Sequence, residues 1–158
     1  MISPQNGEVD FLDGLRIGAH EQIETLSRLV VSRRDLPVPG WSHHILGLHP
    51  SDHGEFQIEA TVSAEQRVEA LFLSHRHPFY QPDTPEDSER RAYHEGVIAL
   101  DLRGQREFQW GHVFCRFTSQ VKCDWLVVVY NPFANIPLHA KTVESILAAH
   151  EPLPHGAT

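Results

Sequence analysis

Residues 124–130 read DWLVVVY, apolar at every position after the first. A run this short, rich in β-branched and aromatic residues and broken at once by Asn131-Pro132, reads as a strand. Because consecutive residues of a strand point to opposite faces, an unbroken apolar run needs cover on both sides, so the segment is expected at the centre of a sheet. Leu126, Val127, Val128 and Val129 should then all be buried, with odd and even positions facing different packing layers. The run is far too short to cross a bilayer, which takes about 20 apolar residues.

A central strand needs neighbours, and the chain supplies them on either side. In EFQIEATVS, residues 55–63, Phe56, Ile58, Ala60 and Val62 alternate with polar residues, and RVEALFLSHRH, residues 67–77, returns Val68, Ala70 and Phe72. That alternation is a hairpin signature. Residues 42–50, SHHILGLHP, read as a further strand stopped by Pro50. GVIALDL (96–102) and REFQWGHVFCRF (106–117) read as a second hairpin about Arg103-Gly104-Gln105. Helical spacing of Ile23, Leu26, Leu29 and Val30 predicts an amphipathic helix over 18–34, and Val143, Ile146 and Leu147 predict another over 139–150. Thr84 and Pro85 suit the start of a brief helix between the hairpins. The expected fold is α+β: one domain over 1–158, with a mainly antiparallel sheet of about six strands and N-terminal and C-terminal helices packed on it. Residues 1–17 are expected as a peripheral leader and 151–158 as a peripheral tail.

The chain has 158 residues and a net charge of −8 with its 12 histidines neutral. That field repels nucleic acid and anionic membranes, and the basic pairs Arg33-Arg34 and Arg90-Arg91 are short. Two cysteines are too few for a disulfide framework, and MISPQNGEVD lacks a basic-then-apolar leader pattern, so a cytoplasmic location is expected. Cys115 and Cys123 lie in strand-like surroundings, where an inert thiol is expected. No nucleophile elbow, phosphate-cradling glycine loop or dinucleotide fingerprint occurs.

The histidines carry the candidate chemistry. Pairing Val62 with Val68 sets Glu55 opposite His75 and His53 opposite His77, on the face away from Phe56, with opposed Cβ atoms about 5 Å apart. Three imidazoles and a carboxylate would suit zinc or another first-row divalent metal, with Tyr80 as a proton donor. HRHPFY, residues 75–80, shares H-x-H with the signature of metallo-β-lactamase-like hydrolases but carries Phe79 and Tyr80 where those have Asp and His. In the second hairpin, pairing Leu100 with Phe108 places His94 and His112 beside Phe108, Trp110 and Phe114, with Gly96 leaving room above the sheet, as in a ligand pocket.

These features favour a non-catalytic cytoplasmic binding domain for a small molecule or a protein partner, with a homodimer as the assembly considered. Trp41, Phe79, Tyr80 and Phe133 sit in Pro-rich loops of the kind that build interfaces. In its acidity and helix–strand–helix order the chain loosely resembles bacterial secretion chaperones. The alternative is a metal-dependent hydrolase using His53, Glu55, His75 and His77.

Overall fold

A computed structural model of the chain describes residues 1–36, 39–76, 87–118 and 123–131. Their dominant feature is a seven-stranded sheet: β3 (Ser32–Asp35), β4 (Ser42–Ser51), β5 (Gly54–Val62), β6 (Val68–Arg76), β7 (Glu107–Phe108), β8 (Gly111–Thr118) and β9 (Cys123–Tyr130). The order across it is β3-β4-β5-β6-β9-β8-β7, and every pairing is antiparallel. A small ribbon, β1 (Val9–Asp10) with β2 (Arg16–Ile17), precedes it.

β9 is interior, between β6 and β8, and its residues behave as the apolar run demands. Leu126 to Val129 are at most 1% exposed. Leu126, Val128 and Tyr130 face the main core with Phe56, Ile58, Leu71, Leu73 and Val113, while Val127 and Val129 join Ala70 and Phe72 in a smaller cluster on the other face, against Trp41, Phe114 and Trp125. The main core is closed by α1 (Asp87–Asp101) through Val97 and Ile98, by Leu102 just after it, and by the N-terminal segment. Residues 1–17, expected at the periphery, contribute Ile2, Val9, Phe11 and Ile17 to it.

Three expectations of secondary structure are corrected. The helix over 18–34 is instead a short 3-10 helix, Ile23–Leu29, followed by β3. Ile23, Leu26 and Leu29 recur every third residue, which is the 3-10 repeat, and Val30-Val31 leads into extended chain. GVIALDL is not a strand: residues 96–101 form the last part of α1 and Leu102 follows it. Arg90, His94, Val97, Ile98 and Leu102 are buried along one helical stripe, and the helix closes with Arg103 at φ 53° and Gly104 at φ 79°, the Gly104 N–H reaching back to Ile98 O at 3.0 Å. That is a glycine-assisted left-handed helix end. The sheet accordingly has seven strands among the described residues, and the helix expected over 139–150 lies outside them.

The first hairpin forms, but its register changes partway. Val62 pairs with Val68 while Thr61 pairs with Ala70, so Glu69 is an extra residue in β6. Beyond this bulge every pairing is displaced by one: Phe56 meets His75 and Glu55 meets Arg76.

Candidate functional site

The displaced register decides the fate of His75. Its ring lies on the core side, edge-on to Phe56 with centroids 5.2 Å apart and stacked on Tyr93 at 3.8 Å. Gly54, at φ 102°, makes room for it: a Cβ there would stand 2.5 Å from His75 Nε2. Helix α1 also takes over the main chain of His75. The His75 N–H donates to His94 Nε2 at 2.9 Å, and Arg90 Nε donates to His75 O at 3.0 Å. These bonds replace ladder partners, since β9 pairs with β6 only over Ala70–Leu73.

The expected metal set is therefore not assembled among the described residues. Glu55 adjoins Phe56 on β5 and so faces away from His75, His53 Nε2 lies 2.8 Å from Asp101 Oδ1, and His77 and Tyr80 lie outside the described residues. Asp101 also accepts the Ile2 N–H at 3.0 Å. Burial opposes its ionisation, but the Ile2 amide and His53 outweigh that, and its pKa lies below the usual carboxylate value.

The expected pocket is divided by the fold. His94 is on α1 rather than on a strand. Phe108 and Trp110 stack at 4.7 Å and pack on the main core, while Phe114 belongs to the cluster on the opposite face and its β8 neighbour His112, two residues earlier, points the same way. What His94 builds is a buried polar cluster. With Nε2 accepting from His75, the ring proton must be on Nδ1, which donates to Asp124 Oδ2 at 2.6 Å. Arg91 Nε donates to the other Asp124 oxygen at 2.6 Å. Burial lowers the pKa of His94, outweighing Asp124, so the ring stays neutral.

Cys115 completes this cluster: its Sγ and the donor atoms of His94 and Asp124 lie within 4.8 Å of one another, a spacing that could hold a metal ion. The protons argue otherwise. Nδ1 carries the proton it gives to Asp124, and burial, with Glu95 and Asp124 nearby, pushes the Cys115 thiol up to about 12. A metal would have to displace both protons and the Arg91 guanidinium, so this donor set does not suit one. Nor is the thiolate available as a nucleophile. The cluster is a fastening between α1 and the sheet.

Among the described residues, two grooves flank the β3 edge, where Arg33 pairs with His44 and Arg34 with His43. Strand alternation puts Arg33 and His44 on the main-core face and Arg34 and His43 on the other. A groove of about 550 Å³ on the first side includes Gln22, Glu24, Ser27, Arg33, His44 and Glu65 in its lining. One of about 290 Å³ on the second is lined by Ser32, Arg33, Arg34, His43, Ile45 and Glu59. In the first, His44 is 4% exposed, its Nε2 is 2.9 Å from Ser42 Oγ, and its Nδ1 has no hydrogen-bond partner among the described residues. Burial, then Arg33 and His43, lower its pKa and keep it neutral. In the second, His43 Nε2 and Glu59 Oε2 are 2.5 Å apart, and Gln57 donates to the other Glu59 oxygen at 2.9 Å. The sequence drew attention to Arg33-Arg34 only as a short basic pair; the signal for an edge was their place among polar residues just before a Pro-rich turn.

No family model and no curated protein matches the chain. In three dimensions it is similar to a chain from a solved complex described as Rhs1-CT in complex with cognate immunity protein RhsI1. The TM-score is 0.53 at 13% sequence identity, and the match covers 93% of this chain and 95% of that one. The likeness is one of fold. No helix among the described residues is long and apolar enough to cross a membrane.

Proposed function

We propose that this chain is a non-catalytic, immunity-type binding protein that acts by occupying a protein partner in the cytoplasm, with residues 1–158 forming one unit. The observation that carries this reading is the fold shared, over nearly the whole chain, with a chain of the complex between Rhs1-CT and its cognate immunity protein RhsI1. Two features of the chain support it. The buried cluster with the donor set for chemistry, His94, Cys115 and Asp124, is consumed in holding α1 to the sheet. The net charge of −8 disfavours nucleic acid as the partner and leaves a protein surface as the natural target.

The test is reconstitution. Tagged protein recovered from its native host should retain one protein partner in fixed stoichiometry. The purified pair should co-elute in size exclusion, and co-expression should relieve growth inhibition caused by the partner alone. A chain that elutes alone and relieves no inhibition would sink the reading.

A further inference from the structure

The β3 edge, laddered to β4 on its inner side, presents exposed side chains and open space on its outer side. All four residues, Ser32–Asp35, are exposed. β3 ends the sheet among the described residues, so half of its N–H and C=O groups point away from β4. A groove lies on each face of this edge, and Arg33 borders both. Arg33 reaches only the exposed Asp35, at 3.4 Å, and Arg34 makes no ion pair among the described residues. We infer that β3 is a docking edge that receives an extended strand of a partner protein bearing two adjacent carboxylates, one for Arg33 and one for Arg34.

The inference rests on the protein-binding reading and names where and how that partner docks. In strand addition, main-chain hydrogen bonds supply affinity and alternate side chains entering pockets supply specificity. A strand laid along β3 sends successive side chains to opposite faces, so adjacent acidic residues meet Arg33 on one face and Arg34 on the other. Charged edge residues also guard against indiscriminate pairing. Here the two flanking grooves distinguish an edge built for a chosen strand from one that is merely protected. A second copy of the chain is the wrong occupant: full antiparallel overlap of two Ser32–Asp35 strands sets Arg33 opposite Arg34 at both central positions, a like-charge pairing that disfavours association.

The probe is a short labelled peptide of alternating Thr and Val with a central Glu-Glu, compared with Gln-Gln and Lys-Lys versions by fluorescence anisotropy. The Glu-Glu peptide should bind best and protect the Ser32–Asp35 amides from hydrogen exchange. The double substitution Arg33→Glu, Arg34→Glu should weaken it about tenfold or more and reverse the preference towards Lys-Lys. Both residues are exposed, so the variant should keep its thermal transition, checked by circular dichroism. Equal affinity for the three peptides, protection elsewhere in the chain, or no binding at millimolar peptide overturns the assignment. If the double reversal leaves the complex with the native partner intact, the edge assignment falls while the protein-binding reading stands. If the unaltered chain forms no complex, the reading falls, and the peptide titration still decides the edge.

Discussion

Asp124 offers the most informative perturbation, because its two oxygens serve different donors in different surroundings. The carboxylate is 1% exposed and receives Arg91 Nε and His94 Nδ1, each at 2.6 Å. The Arg91 side chain is 40% exposed and can return to water, whereas the His94 side chain is 0% exposed and cannot. In Asp124→Asn the amide oxygen can still accept from His94, and its NH2 turns towards Arg91, so the loss is one charge-assisted bond, about 2 kcal/mol. In Asp124→Leu the His94 Nδ1–H is also left buried without an acceptor, and the cost rises to about 4 kcal/mol. For a chain of this size those losses lower the Tm by about 6 and 12 °C respectively. Urea unfolding followed by tryptophan fluorescence measures both, and an unchanged m-value shows that the native fold persists. The ordering is the test: if Asp124→Leu proves as stable as Asp124→Asn, then His94 does not donate to Asp124, and the ring assignment and the fastening role both fail.

The neutral burial of His44 and His94 makes stability depend on pH. Both pKa values are lowered in the fold, so below the ordinary value of 6.5 the unfolded chain takes up protons that the folded chain refuses. Their contribution is intact above 6.5 and is lost as pH falls below it. His44→Gln should therefore lose less stability than the unaltered chain between pH 7 and 5.5 in urea titrations; equal losses would contradict the neutral burial of His44. In a Cys123→Ser background, Cys115 should resist iodoacetamide at pH 8 and react promptly in urea, because its pKa is pushed up to about 12; rapid labelling of the folded protein would refute that. Gly111→Ala would place a Cβ 1.9 Å from the Val129 carbonyl oxygen on the neighbouring strand, so a loss of about 3 kcal/mol or more is expected, and a neutral result would mean that β8 and β9 do not approach this closely.

Burial of Leu126 to Val129 was legible in the sequence because consecutive apolar residues on a strand leave no other solution, and the β5–β6 hairpin was legible because alternation at period two is a local property. Local patterns also misled. Val97, Ile98 and Leu100 are β-branched or apolar neighbours beside Gly96, and they read as a strand until the sheet below is seen to favour a helix that buries Val97, Ile98 and Leu102 together. Leu100, 74% exposed, is the residue whose apolar character suggested the wrong period.

The histidine site turned on something the sequence alone does not hold. Its geometry depended on register, and register changed through one extra residue, Glu69, whose buried carboxylate is 2.6 Å from Nδ1 of His20, 49 positions away. A one-residue displacement moves a side chain to the other face of the sheet. The composition supplied the 12 histidines and 21 carboxylate side chains that could meet. Only the tertiary structure decided which ones, because a bulge is set by long-range pairing and not by the strand that contains it, and so His75 became a support for α1 rather than the partner of Glu55.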